Sequence, residues 1–322
     1  MLTRRRAAAL LAAPLAIPGL SRAQAFPQDR PIRAVVNFPP GGTVDTVTRL
    51  IAPALSERLG RQVVVENRGG ASGLVGAEAV VRSAPDGHTL LFALSTHTVN
   101  PHMVPRMPFD TLADFAPVGF VGGAPVLMAA HPSSPFRTLA DVIAAGRVGE
   151  GPHYGTIGNG STGHLMMAQL QTLTGARFTH VPFRGGGPAV QAALGGQVPL
   201  VITSTVAVGP QVQAGNLRGI ALSGAERSPA HPTVPTVAEQ GFPGFSADSW
   251  VGVFAPARTP DSAIARLNAE LGAALADPGI RQRLTEMGMT PRAMAPAEFG
   301  RFVESEYNRW GAVVRAHSIT AD

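Results

Sequence analysis

Residues 32–60 read IRAVVNFPPGGTVDTVTRLIAPALSERLG, and this stretch decides the fold class. Ile32–Phe38 is a short, mostly apolar run of strand length. Pro39-Pro40-Gly41-Gly42 breaks it, and Val47, Ile51, Ala54 and Leu55 then recur at helical spacing from about Val44 to Leu59, where Gly60 stops the helix. A strand entering a helix through a glycine turn opens a βα unit. The pattern repeats downstream: Val63–Val65 predicts a strand, Gly69-Gly70-Ala71-Ser72-Gly73 a turn, Gly76–Arg82 a helix and Thr89–Leu94 a third strand. Strand–helix–strand repetition at this spacing predicts right-handed crossovers and a parallel sheet flanked by helices.

Residues 100–136 interrupt this rhythm with several prolines and a β-rich run, Val118–Ala130. The alternation then resumes, with helices at Leu139–Ala145, Gly163–Leu173 and Pro188–Leu194. Strands are expected near His153–Ile157, Phe178–Phe183, Val198–Thr203 and Leu217–Leu222. After Trp250–Phe254 come amphipathic helices over roughly Asp261–Met287, broken near Pro278, and Pro296–His317. Two α/β runs with an interruption between them predict two lobes.

Composition removes several chemistries. The 322 residues contain no cysteine and no lysine, so all 26 basic residues are arginine. Disulfides, thiolate zinc sites, a Walker A loop, a pyridoxal Schiff base and a lysine base are excluded. The formal charge of +5 is local: Arg4, Arg5, Arg6 and Arg22 lie in the first 25 residues, which hold no acid. The remainder is close to neutral and carries no nucleic-acid footprint. Those 25 residues read as a secretory signal, with a basic start, an apolar run from Ala7 to Leu20 and cleavage after Ala23-Gln24-Ala25. The expected product is exported and begins near Phe26, with Sec and twin-arginine export both open.

In an open parallel sheet, ligands bind where strands end and helices begin. Four such loops are rich in glycine and small hydroxyls: Phe38–Asp45, Asn67–Gly73, Leu94–Thr98 and Thr156–His164. A fifth, Phe183–Pro188, adds Arg184. Glycines admit a ligand close to backbone, helix N-termini offer free N–H groups to an anion, and hydroxyls donate without bulk. Plain roles compete with these: Gly-Gly forms tight turns, Ser161 and Thr162 suit helix capping, and Asp45 suits a first helical turn. Catalytic signatures are missing. GNGSTG has Asn159 two residues before Ser161, so the nucleophile elbow is not met, no H-E-x-x-H occurs, and no dinucleotide fingerprint follows the first strand. Neither a catalytic residue, a cofactor nor a metal is expected.

The ordered blocks PIRAVVNFPPGGTVDTVTR, VVVENRGGASGLVGAEAV, PDGHTLLFA, FDTLADFAPVGFV, YGTIGNGSTGHL, FTHVPFRGGGPAVQAALGGQV, LRGIALSGAERSPAHPTVPTVAEQGFPGF, SWVGVFAPARTP and EFGRFVESEYNRW carry a resemblance. The chain resembles the Bug family, the TctC-like extracytoplasmic solute receptors of tripartite tricarboxylate transporters. That resemblance implies a type II periplasmic binding fold, a two-lobed Venus flytrap in which each lobe is a mainly parallel sheet flanked by helices. Val118–Ala130 and Trp250–Ala255 would be the crossing strands, with lobe I over 26–122 and 249–322 and lobe II over 123–248.

It also implies a non-enzymatic monomer that binds a small carboxylate (a dicarboxylate, a tricarboxylate or an aromatic acid) between the lobes and delivers it to a membrane transporter. The implied contacts are Phe38, Gly41, Gly42, Thr43, Asp45, Ala71, Ser95 and Thr96 from lobe I. From lobe II they are Gly158, Ser161, Thr162, Arg184, Gly185, Thr203 and Ser204, with Asp45 ordering its loop rather than touching the anion. The family usually has acids where Pro199 and Thr203 stand here, which argues against an amino-acid ligand. Two other readings remain: a receptor that presents its ligand to a signalling partner, and a secreted α/β hydrolase using Ser161 or Ser95 with His164 or His97.

Overall fold

The computed structural model describes residues 26–316 and 319, so the leader read at 1–25 lies outside the described residues. The elements in chain order begin β1 (Ile32–Val36), α1 (Thr43–Leu59), β2 (Val63–Asn67), α2 (Leu74–Val81), β3 (Thr89–Leu94) and α3 (Thr96–Val99). Next come β4 (Phe115–Ala130), α4 (Leu139–Gly146), β5 (His153–Thr156), α5 (Thr162–Thr174), β6 (Thr179–Pro182), α6 (Gly186–Leu194) and β7 (Leu200–Ser204). The chain ends with α7 (Thr205–Gln213), β8 (Arg218–Leu222), β9 (Asp248–Pro256), α8 (Asp261–Ala276), α9 (Pro278–Glu286), β10 (Thr290–Pro291) and α10 (Pro296–Ala316). The first helix stops as its sequence requires. Gly60 takes the left-handed conformation at φ 64° and returns its N–H to the carbonyl of Glu57.

Strands β2, β1 and β3 are parallel, and β9 joins β3 antiparallel. Strands β7, β5 and β6 form a second parallel set. The 16-residue β4 belongs to both sheets: Phe115–Pro125 pairs with β9, whereas Val126–Ala130 lies between β7 and β8, all antiparallel. Register shifts at Pro117/Gly119 and Phe120/Gly122 mark bulges, which bend and twist a strand that must serve two sheets. The result is two α/β lobes joined through β4 and β9.

Each lobe has its own core. Ile32, Val36, Ile51, Phe92 and Leu271 pack together in one, and Met128, Tyr154, Leu165, Leu170 and Ile202 in the other. Helix α10 touches both sides of the division. Phe299 and Val303 pack with Phe120 and Trp250, while Trp310 and Val314 join the second core. Buried Glu306 fixes this helix to β9 by accepting the indole N–H of Trp250 at 3.2 Å and of Trp310 at 2.9 Å.

The structure adds two helices that the sequence pattern did not predict. The Ser-Thr-His-Thr run after β3 forms the short α3, and Thr205–Gln213 forms α7 in spite of Pro210.

Candidate functional site

The C-terminal ends of β1, β2 and β3 face those of β5 and β7 across the junction of the lobes. The loop after β1 is braced from below by Asp45. One carboxylate oxygen accepts the Gly41 N–H (3.0 Å), and the other accepts Arg49 Nε and Asn67 Nδ2, both at 2.9 Å. Asn67 also donates to the Phe38 carbonyl (3.0 Å), closing the loop on itself. Both Asp45 oxygens therefore have protein partners.

A band of hydroxyls links the lobes behind this loop. Thr43 donates to Ser204 Oγ at 3.0 Å, and Ser95 Oγ lies 3.0 Å from Thr162 Oγ1 and 3.4 Å from Ser249 Oγ. Ser161 caps α5 by accepting the His164 N–H, and Ser204 caps α7 by accepting the Val206 N–H. Thr43, Ser161, Thr162, Thr203, Ser204 and Ser249 line a gap of about 10 Å³, room for about one water. Thr96, next to Ser95 in the chain, is buried, and its hydroxyl has no hydrogen-bond partner among the described residues.

The larger space lies to one side of that band. A cavity of about 940 Å³ is bounded by Phe38, Pro39 and Pro40, by the Gly69–Leu74 turn, by Asn100 and Met103–Pro105, and by Ile157–Asn159 and Pro182–Arg184. Its size is at the upper end of the range for small-molecule pockets. Arg184 makes no hydrogen bond or ion pair among the described residues, and it is the one charged side chain on these walls. The turn on the lobe I side holds four successive positive φ angles: Gly70 139°, Ala71 46°, Ser72 52° and Gly73 95°. Two buried amides keep it there, with Asn37 donating to the Gly73 carbonyl (3.3 Å) and Asn100 to that of Ser72 (3.1 Å). Ser72 reaches across the lobes to the Asn159 carbonyl at 3.2 Å.

Two helix N-termini also meet across the cleft. Helix α1 starts at Gly42 and α6 at Gly185, and neither has a side-chain cap. A methyl group on Gly186 would stand 3.3 Å from Gly42 Cα, and one on Gly187 3.0 Å from the Pro40 carbonyl oxygen. A side chain at either position would force its neighbour to give by a few tenths of an ångström, so glycine suits this approach.

Of the residues nominated from sequence, Phe38, Ala71, Gly158 and Arg184 line the large cavity, and Thr43, Ser161, Thr162, Thr203 and Ser204 line the small gap. Ser95 joins the hydroxyl band, Gly41, Gly42 and Gly185 sit at the helix meeting, and Asp45 braces its loop. The sequence reading named the Asn67–Gly73 loop without singling out Ser72, and it missed Leu74 at the start of α2, Asn100 and Met103–Pro105.

The hydrolase geometry does not form around Ser95. Its hydroxyl meets Thr162 and Ser249, while the His97 ring is enclosed by Phe109, Phe115 and Phe254. Burial in that cage drives the His97 pKa down to about 3. Around Ser161, the hydroxyl accepts the His164 backbone N–H, and the His164 ring, stacked on His180 at 3.9 Å, accepts the Gly160 N–H at Nδ1. Among the described residues no cluster of three or more His, Asp or Glu could hold a metal ion.

Comparison with known proteins follows this geometry. Residues 47–319 match the tripartite tricarboxylate transporter family receptor. Protein BugT of Bordetella pertussis is 36% identical over 289 residues, which span 89% of each chain. A Rhodopseudomonas palustris protein solved with adipate superposes with a TM-score of 0.88 and 34% identity, over 92% of this chain and all of that one. MatC from the same organism, solved with malate, gives 0.84 and 35%, over 90% of this chain and all of that one.

Proposed function

The chain belongs to the tripartite tricarboxylate transporter receptor family, and from that premise we propose that it captures a small carboxylate between its lobes and passes it to the membrane components of such a transporter. The observation that carries this reading is the meeting of two uncapped helix N-termini beside Arg184. Each helix presents roughly half a positive charge at its N-terminus, which Asp45 in the first turn of α1 offsets only in part, so an anion near both ends is favoured. Closure and anion capture are then one event, with affinity set partly by the stability of the closed state. Malate and adipate in the two R. palustris relatives are anions of this kind.

In this reading lobe I comprises 26–122 and 249–322 and lobe II 123–248, a division three residues before β4 changes partners. The receptor acts as a periplasmic monomer without catalysis, after removal of residues 1–25. Thermal unfolding of the protein with aliphatic di- and tricarboxylates, aromatic carboxylates and amino acids tests it. A true ligand at a hundred times its dissociation constant adds about 2.7 kcal/mol and raises the midpoint by several degrees. Stabilisation by amino acids alone would keep the receptor and overturn the argument against an amino-acid ligand, and silence across the panel would overturn the receptor reading. Transporter genes beside this one favour transport; a signalling gene in their place favours presentation to a sensor.

A further inference from the structure

The 940 Å³ cavity carries one charged side chain, Arg184, and a run of apolar wall at Met103–Pro105. Gly69 and Gly185 both pack on Pro39, since an added methyl on either would stand 3.0 Å or less from its ring, and this puts Arg184 and the start of the Gly69–Gly73 turn at the same end. Leu74, Met103, Val104 and Pro105 supply apolar wall, with Met103 lying over Gly160, and the polar neighbours Ser72 and Asn100 spend their donors on the Asn159 and Ser72 carbonyls. Among the described residues no acid lines the cavity, and both oxygens of Asp45 are committed to Gly41, Arg49 and Asn67. The hydroxyl-lined gap is too small to take a second head group.

We propose that the ligand is a monocarboxylate with a bulky apolar body, such as an aromatic acid, whose carboxylate lies at the Arg184 end and whose body fills the space against Leu74, Met103 and Val104. The proposal rests on the carboxylate reading and narrows it. A second carboxylate placed among Leu74, Met103 and Val104 would lose its hydration and meet no cation. An ammonium group would find no acid to receive it. An apolar body gains from the same walls, and each buried methylene tightens binding roughly fourfold.

Calorimetric titration with matched pairs tests this: hexanoate against adipate, and benzoate against terephthalate. Within each pair the body is the same and only the second carboxylate differs. The monocarboxylate is expected to bind at least tenfold more tightly in both, with octanoate tighter than hexanoate. Val104→Arg, at a half-buried loop position, adds a cation to the apolar end and is expected to move the preference towards the dicarboxylate of each pair. Equal or tighter binding of the dicarboxylates by the unaltered protein overturns the proposal. Binding of citrate or malate with none of the four also overturns it, while leaving the carboxylate reading intact. Failure of every carboxylate to bind overturns both.

Discussion

The two parts of the cleft are held by opposite means. In the hydroxyl band, Thr43, Ser95, Thr162, Ser204 and Ser249 satisfy one another across the lobes, and their helices are ordinary. Beside the cavity, by contrast, contact is made by a turn with four left-handed residues, two of them non-glycine, kept in place by the amides of Asn37 and Asn100. The band is relaxed and closes the lobes by many small bonds. The turn is strained, and its conformation depends on what surrounds it. Closure should therefore be lost by damage to the band, whereas the shape of the cavity should respond to changes in the turn.

The largest effect is expected where the band rests on backbone. A methyl group on Gly163 would stand 2.4 Å from the Ile202 carbonyl oxygen, so Gly163→Ala must push α5 off β7 and carry Thr162 away from Ser95. Overpacking of this kind costs about 3 kcal/mol, read as a lower urea midpoint, and ligand binding should fall with it. An unchanged midpoint would mean that α5 and β7 tolerate separation there, and that the band does not depend on their close packing.

Acid should act on the same side. His97 follows the band on α3 and is buried without a charged partner, so its pKa of about 3 lies below the usual 6.5. Below pH 6.5 the unfolded chain takes up a proton that the folded chain refuses. Stability is therefore lost as pH falls from 6.5 towards 3, by about 2 kcal/mol at pH 5. His231, His102 and His88 are shifted the same way by burial. His97→Phe, which fits among Phe109, Phe115 and Phe254, should flatten the decline; an equally steep decline would assign it to the other three.

Ser95→Ala is a gentler break in the band. It leaves Thr162 and Ser249 without their shared partner, and a neutral hydrogen bond contributes about 1 kcal/mol. Affinity for whichever acid gives the largest thermal shift should drop roughly five- to tenfold, because the closed state is weakened.

The same contrast explains what could be read from the sequence. The band was legible because its residues sit where apolar strands give way to Gly, Ser and Thr before a helix, as at Leu94–Thr98 and Thr156–His164. The crossing strand β4 was legible as the β-rich run Val118–Ala130, although pairing with β9 extends it back to Phe115. Of the cavity wall, the loops carrying Phe38, Ala71, Gly158 and Arg184 were legible in the same way, but the stretch between β3 and β4 was not. Met103–Pro105 lies in a proline-broken stretch with no period, and only the tertiary path from β3 to β4 brings it against the lobe II loops. Helix α7 was hidden by Pro210 and by the β-branched Val206 and Val208, which disfavour helix. Helix α6 starts two residues earlier than its pattern because Gly186 and Gly187 signal a turn. Gly70–Gly73 reads as a turn in sequence, but nothing there reveals that Ala71 and Ser72 adopt left-handed angles.

That last feature gives the smallest expected effect, and its sign is informative. A left-handed conformation costs an alanine about 1–2 kcal/mol, whereas glycine adopts it freely but adds about 0.5–1 kcal/mol of chain entropy on unfolding. Ala71→Gly should therefore stabilise the protein by about 0.5 kcal/mol, a rise in midpoint of about 1–2 °C. Ser72→Ala should do the reverse. It keeps the strained angle at φ 52° and loses the hydroxyl bond to Asn159, so a loss of about 1 kcal/mol is expected. Opposite signs at adjacent positions are what a strained turn held from outside requires. Destabilisation by both substitutions would mean that the turn is at rest, and the contrast with the hydroxyl band would then fail.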